Sequence, residues 1–279
     1  MRTTIEVRPY EWRGPYAEWR STARHDPGLC AEVRAAWMAP EERLILRSCE
    51  MIGYPEEFLY DDHIPVAEPD TRGKQYKHTS FQWDPAKAPT QVSADCTVQG
   101  KGRFSLVLRG EDDYLEIELS VRNDLSVAVG PIDWALCAVA LESPTLRDPE
   151  HDRTFVFDGE RLRSFRAING RPGIHMIRVA GGEDFIPDGH RQFPVSETVA
   201  QESVVIINGR DGRHAAGLGF EQSYNSYGCT GNMCFHMDPW FGTLAANGQE
   251  KRMRGRLYLV EGDAEEVLKR YRRDFGRPG

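Results

Sequence analysis

The chain has 279 residues, with 35 Lys and Arg against 43 Asp and Glu, which gives a net charge of −8 at pH 7. This acidic balance argues against a general nucleic-acid binder, because such proteins need basic surfaces to displace counterions from phosphates. A chain of this length buries roughly three quarters of its unfolded surface, so neither disulfides nor a metal are needed simply to hold it folded.

The first part of the chain, residues 1–90, is predicted to be an irregular, loop-rich segment packed on the main domain. Asp26-Pro27 resembles a helix N-cap followed by proline at the first helical position, and the apolar residues that follow are spaced by four. A short N-terminal helix is therefore predicted over 27–38. Leu44–Leu46 predicts a strand, and long loops are predicted between Gly53 and Pro89.

Residues 91–279 are predicted to form the main domain, a β-sandwich completed by a C-terminal helix. In Tyr114–Arg122, apolar and polar residues alternate strictly, as in a half-buried antiparallel strand that would pair with Phe104–Arg109. Asp158-Gly159 between two apolar runs is a hairpin signal. Successive strands joined by short turns favour a mainly β, antiparallel sandwich over an α/β fold.

The C-terminal helix is predicted over 263–276. Asp263 is its expected N-cap, Glu266 completes a capping-box-like pattern, and Gly276 ends it. The apolar stripe of this helix consists of Val267, Leu268, Tyr271 and Phe275. The helix is expected to cover one face or edge of a sheet.

The most informative segment for function is Met233–Asp238. If it is extended, Met233, Phe235 and Met237 face the core, while Cys234, His236 and Asp238 share the opposite face and project into an open groove. A histidine and a carboxylate on one strand face can bind a cation, or can present an imidazole that the carboxylate orients.

Three interpretations of this segment remain open. One divalent metal, zinc, manganese or calcium, could be bound by Cys234, His236 and Asp238, with Cys229 as a further thiolate that would favour zinc. In the second interpretation, these residues line a functional pocket that contains no metal. No cofactor other than a metal is expected. The third is purely structural, with Asp238 as a turn-opening residue before Pro239. Cys137, in an apolar run, is predicted to be a small buried hydrophobe.

Further residues are candidates for binding a sugar ring, which needs aromatic platforms and polar groups. The predicted substrate-binding residues are His63, His78, Trp83, Trp240 and Arg254. Tyr224 and Tyr227 could be general acids, although buried structural tyrosines are commoner. Arg252, Arg254 and Arg256 share a strand face and could bind a uronate or carboxylate, against the alternative of a solvated charged surface.

Leu119–Asn123, Cys234–Gly242 and Arg254–Tyr258, within a region that spans roughly residues 93–275, are similar to blocks of the galactose-mutarotase-like supersandwich proteins. This group includes sugar epimerases and domains of polysaccharide lyases. The resemblance implies a concave sheet that binds glycans, with histidine, tyrosine, arginine or a carboxylate as catalytic groups. The usual histidine pair of the epimerases has no identifiable counterpart in this chain.

The function predicted from these features is a carbohydrate-active enzyme, a lyase or hydrolase acting on a sugar or uronate-containing glycan. His236 would be the base or a metal ligand, Asp238 its orienter or a co-ligand, and Tyr224 or Tyr227 the proton donor. The alternatives are a non-catalytic sugar-binding or accessory subunit, and a structural zinc site without a sugar role.

The expected partner is a sugar or oligosaccharide, with no nucleic acid or membrane, and a homo-oligomer is compatible with the sequence. A cytoplasmic location is expected because the first residues lack an apolar signal region.

Overall fold

Strand pairing organises the computed structural model, which describes residues 5–11, 30–53, 58–61, 83–98, 100–182 and 194–276. Within these ranges the strands are β1 (Glu6–Pro9), β2 (Cys30–Arg34), β3 (Leu44–Gly53), β4 (Phe58–Asp61), β5 (Trp83–Asp84), β6 (Gln91–Val98), β7 (Gly102–Gly110), β8 (Tyr114–Asn123), β9 (Val129–Val139), β10 (Thr154–Phe157), β11 (Leu162–Ser164), β12 (Ile174–Val179), β13 (Val195–Ala200), β14 (Val204–Asn208), β15 (His214–Phe220), β16 (Ser223–Cys229), β17 (Cys234–Leu244) and β18 (Gln249–Glu261). The two described helices are α1 (Phe165–Asn169) and α2 (Ala264–Phe275).

The described strands form two sheets. The first sheet has the order β1-β2-β3-β9-β17-β16-β12-β13, with β4 attached to β3, and the second has the order β11-β10-β14-β15-β18-β8-β7-β6-β5. Neighbouring strands are antiparallel except for β12 and β13, which are parallel. The mainly β, antiparallel sandwich that the sequence predicts is therefore confirmed.

The main hydrophobic core lies between the two sheets. It takes Leu46 and Phe235 from the first sheet and Phe104 and Leu119 from the second, all essentially inaccessible to solvent. Edge-to-face packing of Phe104 on Trp134, with ring centroids 5.8 Å apart, joins the two layers. The predicted alternation in Tyr114–Arg122 is confirmed, because alternate residues of β8 enter this core.

Helix α2 covers the outer face of the second sheet, which is the face directed away from this core. The side chain of Asp263 accepts hydrogen bonds from the backbone N–H groups of Glu265 and Glu266, as expected of an N-cap. Val267, Leu268 and Tyr271 pack on strands β14, β15 and β18, so the predicted helix and its apolar stripe are confirmed. Among the described residues, no helix combines the length and apolar character needed to cross a lipid bilayer.

The predicted helix over 27–38 is wrong wherever the structure describes it. Cys30–Arg34 is strand β2, hydrogen-bonded to β1 on one side and to β3 on the other, while residues 27–29 lie outside the described ranges. Pairing on both sides provides backbone hydrogen bonds along this short segment, which outweighs a weak helical spacing. Strands β1 to β3 thus belong to the first sheet, and the domain boundary at residue 90 stays a prediction.

Candidate functional site

The hairpin of β16 and β17 carries the segment that the sequence singled out. Phe235 and Met237 enter the core between the sheets, whereas Cys234, His236 and Asp238 project from the outer face of the first sheet, the face directed away from that core. The predicted common face of the thiol, the imidazole and the carboxylate is confirmed.

A row of directly opposed residues crosses this outer face through His236. Register pairs His236 with Cys137 of β9 on one side and with Tyr227 of β16 on the other. The row continues from Cys137 to Arg47 of β3 and from Tyr227 to Met176 of β12. Side chains in such a row stand about 5 Å apart, so groups distant in sequence become neighbours.

Two thiols and one imidazole form a compact cluster in this region. Ligand atoms of Cys137, Cys234 and His236 all lie within 4.8 Å of one another. The Sγ of Cys234 is 3.6 Å from the Nε2 of His236. On the other side of the ring, Nδ1 of His236 is 3.4 Å from Oδ1 of Asp238, which also accepts a hydrogen bond from the backbone N–H of Leu136 at 3.1 Å.

Mutual contacts shift the pKa values of this cluster. Burial lowers the pKa of His236, but the charge of Cys137 and the hydrogen bond to Asp238 outweigh it, and the net pKa is well above the ordinary value. Hydrogen bonds with Cys137 and Cys229 raise the pKa of Cys234, and burial adds to this. A hydrogen bond with Cys234 lowers the pKa of Cys229 to about 6, although burial opposes this shift.

A second row, next to the first, is strongly polar. Asp238 of β17 lies opposite Asn225 of β16, which lies opposite Arg178 of β12. Asn225 is 1% exposed and Asp238 is 0% exposed. Among the residues that the structure describes, no group hydrogen-bonds Oδ2 of Asp238 or either polar atom of the Asn225 amide. These buried atoms therefore have hydrogen-bonding capacity that no described group uses.

The expectation of an open groove at these groups is wrong. The exposed fraction is 3% for His236, 4% for Cys234 and 0% for Asp238. A sequence pattern identifies the face of a strand but not what lies over that face, because covering contacts come from distant parts of the chain. The site is a buried polar cluster on the outer face of a sheet.

The predicted tyrosines and Trp240 fall into two groups. Tyr227 packs edge-on against the imidazole of His236, with ring centroids 4.9 Å apart. Tyr224 is fully buried, and its ring centroid is 5.6 Å from that of Trp240. A bulge between Ser223 and Asn225 accommodates Tyr224 as an extra residue opposite β17. Catalytic roles for Tyr224 and Tyr227 stay predictions, as does substrate binding by Trp240.

Of the remaining substrate-binding residues, Trp83 and Arg254 lie apart from His236. The indole N–H of Trp83 donates to the carbonyl of Cys30 at 2.9 Å and its ring packs against the core, which accounts for it structurally. Arg254 lies on the outer face of the second sheet, on the other side of the sandwich from His236. His63 and His78 lie outside the described residues.

Arg254 lines a shallow groove of about 600 Å³ across β7, β8 and β18. Its guanidinium forms hydrogen bonds of 2.8 and 2.9 Å with Glu221, and Arg252 pairs with Glu250. Arg256, the third arginine of the predicted anion site, pairs with Glu116 at 2.8 Å, so all three are neutralised by neighbouring carboxylates. The groove contains charged groups but little uncompensated charge.

Sequence reasoning did not assign Cys137 or Asn225 to the cluster around His236. The run around Cys137 is apolar throughout, so alternation gives no sign of which residues face outward. Asn225 lies between Tyr224 and Tyr227 without a motif of its own, and only its register opposite Asp238 makes it part of the cluster. Pairing partners across strands were the missing information.

No protein-family model and no curated protein matches the chain. Similar solved structures include a galactose mutarotase related enzyme from Lactobacillus acidophilus, with 10% identity, coverage of 84% of this chain and 91% of that chain, and a TM-score of 0.41. A galactose mutarotase-like protein from Lactobacillus casei has 12% identity, coverage of 78% and 84%, and a TM-score of 0.37. A protein from Synechocystis has 7% identity, coverage of 85% and 90%, and a TM-score of 0.43. The resemblance to galactose-mutarotase-like proteins is thus found again as a weak likeness.

Proposed function

We propose that the chain is a carbohydrate-active enzyme, a lyase or hydrolase, that binds a sugar or uronate-containing glycan at the outer face of the first sheet. The observation that carries this proposal is the buried amide of Asn225 beside Oδ2 of Asp238, neither of which is hydrogen-bonded within the described part of the chain. Buried polar groups without partners cost free energy, and a ligand rich in hydroxyls removes that cost.

The preference for an acidic sugar is supported by the arginine in the same row. Arg178 is half-buried and lies directly opposite Asn225. A guanidinium can bind a carboxylate through two parallel hydrogen bonds, whereas an amide and a carboxylate suit hydroxyl groups. The order carboxylate, amide and guanidinium across three strands matches the hydroxyls and the acid group of a uronate.

Within this proposal Asp238 accepts the proton and Tyr227 donates one. The hydrogen bond from Leu136 and the contact with His236 hold Oδ1 of Asp238 and leave Oδ2 for the substrate. In a lyase reaction the carboxylate removes the proton beside the uronate acid group, Arg178 stabilises the resulting negative charge, and Tyr227 protonates the leaving oxygen. His236, whose ring nitrogens face Asp238 and Cys234, positions Asp238 rather than acting as the base.

A non-catalytic sugar-binding role is favoured by one observation, the complete burial of Asp238. A group that transfers a proton must touch its substrate, whereas a non-catalytic site can bind an acid group through the half-buried guanidinium of Arg178 without contact with Asp238. The two functions share the same site and differ in turnover.

Calorimetric titration with galacturonate, glucuronate and the matching neutral sugars tests the proposal, together with oligouronides assayed for unsaturated products and for new reducing ends. We expect a uronate to bind more tightly than its neutral counterpart, and Asn225→Leu and Arg178→Gln to weaken binding by tenfold or more. Glu118→Gln, in the groove of the second sheet, is the matched control and should bind normally. Unchanged binding in Asn225→Leu would refute the site, and binding without turnover in the wild type would favour the accessory function.

A further inference from the structure

The cluster of Cys137, Cys234 and His236 has the composition of a transition-metal site. All three residues are buried, and they come from two neighbouring strands whose register sets Cys137 opposite His236. We propose that these three side chains bind one zinc ion and leave its fourth coordination position open. This inference goes beyond the proposed function, because it requires no sugar.

The spacing of the ligand atoms fits tetrahedral zinc. Bonds of about 2.3 Å to sulfur and 2.0–2.1 Å to nitrogen, at tetrahedral angles, place a sulfur and a nitrogen ligand about 3.6 Å apart. The Sγ of Cys234 and the Nε2 of His236 are 3.6 Å apart. Cys137 lies within the same 4.8 Å set, so a small adjustment of its side chain brings all three atoms to bonding distance.

The orientation of the imidazole is the second argument. A histidine that binds zinc through one ring nitrogen commonly presents the other to a carboxylate, which fixes the ring and raises its basicity. Nδ1 of His236 faces Oδ1 of Asp238 at 3.4 Å, and Nε2 is left on the side of the thiols. In this proposal Asp238 is a positioning residue for the ligand His236, whereas the sequence predicts it as a further metal ligand.

The donor atoms also select the metal. Two thiolates and an imidazole are soft ligands that suit zinc, whereas calcium and manganese prefer oxygen ligands. Two thiolates balance the charge of a divalent ion, which lowers the cost of placing that ion in a buried position. Of the three metals considered from the sequence, the cluster fits zinc alone.

The open position follows from the number of ligands. Cys229 lies directly opposite Cys234, but it is not a member of the set whose atoms all lie within 4.8 Å of one another. Sites with three protein ligands keep their fourth position for water or substrate, whereas closed sites with four ligands are structural. The rival explanation is that Cys137 and Cys234 are only small apolar residues packed together.

Zinc content and cobalt spectroscopy of the full-length protein test the proposal. The reduced protein is dialysed against zinc sulfate, freed of excess metal and measured by elemental analysis, and a chromophoric chelator gives the affinity. We expect one zinc per chain, and cobalt chloride should produce the thiolate charge-transfer and visible bands of tetrahedral cobalt. A wild-type protein that holds no zinc and shows no thiolate–cobalt band would overturn the proposal.

Variants identify the ligands. Cys137→Ser and His236→Asn should each lose stoichiometric zinc, and Asp238→Asn should weaken zinc binding by roughly 10- to 100-fold. Cys229→Ser, next to the cluster, and Cys96→Ser, in strand β6, should keep one zinc. Loss of zinc from Cys229→Ser would refute the three-ligand set. The zinc measurement on the wild-type protein tests the proposal even if a variant fails to fold. Sugar binding by Asn225→Leu tests the proposed function and not the zinc site.

Discussion

Cys137 and His236 lie directly opposite one another on strands β9 and β17, so a cysteine within an apolar run is a cross-strand neighbour of the histidine. Their side chains leave the outer face of the first sheet together with Cys234. The chemistry of the site therefore depends on a pairing between strands that are remote in sequence. Neither residue alone would indicate a ligand set.

The unsatisfied amide of Asn225 predicts a trade-off between stability and binding. Asn225→Leu keeps the branched shape and the number of heavy atoms of the side chain and removes two buried polar atoms that have no partner among the described residues, so we expect a gain of about 1 kcal/mol in the free energy of unfolding. Denaturant unfolding without ligand measures this gain.

The matched control for that substitution is Asn123→Leu. The amide of Asn123 donates to the carbonyls of Val127 and Ala245 at 2.8 and 2.9 Å, and it accepts from the N–H of Leu125. Removing it should destabilise the protein by about 2 kcal/mol or more, because three backbone groups lose their partner. Equal destabilisation in the two variants would mean that Asn225 is hydrogen-bonded in solution.

His151 should make stability fall in acid. Burial, assisted by the charge of His175, lowers the pKa of His151 from 6.5 to about 4. Between these two values the unfolded chain binds a proton that the folded chain does not, so stability is complete above pH 6.5 and decreases toward pH 4. The full loss is roughly 3 kcal/mol, at 1.36 kcal/mol for each pKa unit.

The variant that tests this is His151→Asn, because His151 has a φ of 57° and asparagine tolerates that left-handed conformation. The slope of unfolding free energy against pH between 6.5 and 4 should become shallower in the variant. An unchanged slope would assign the acid sensitivity to other groups.

The N-cap of α2 should contribute measurably to stability. Asp263 accepts hydrogen bonds from two backbone N–H groups at 3.1 and 3.2 Å. Asp263→Ala should lower the free energy of unfolding by about 1 kcal/mol, whereas Asp263→Asn should retain most of it because asparagine also caps helices. Thermal unfolding followed by circular dichroism compares the two, and an equal loss in both would contradict a capping role.

The close approach of α2 to the second sheet depends on Gly217. A Cβ added there would lie 2.4 Å from Cγ1 of Val267, so Gly217→Ala should destabilise the protein by about 1–3 kcal/mol. Val267→Ala removes the opposing methyl groups. Gly217→Ala should therefore lower the free energy of unfolding by less in the Val267→Ala background than in the wild type. Additive effects in this double-mutant cycle would show that the contact is not limiting.

Several features of the fold could be predicted because they depend on neighbouring residues. The alternation in Tyr114–Arg122, the cap at Asp263 and the outward face of Cys234, His236 and Asp238 all arise from the geometry of a single strand or helix. Each was found where the sequence indicated it. The prediction of a helix over 27–38 was wrong in its described part. Strands on both sides of β2 stabilise an extended backbone there, although the sequence of β2 only weakly favours one.

The amino-acid sequence by itself determined a mainly β sandwich with a C-terminal helix, and it determined that an imidazole, a thiol and a carboxylate leave one strand on the same side. Only the tertiary structure decided that Cys137 and Asn225 join them, that Arg254 lies on the other side of the sandwich, and that the cluster is buried. The physical reason is that strand order, register and covering contacts are set by the packing of the whole chain, whereas the direction of a side chain is set by the local backbone.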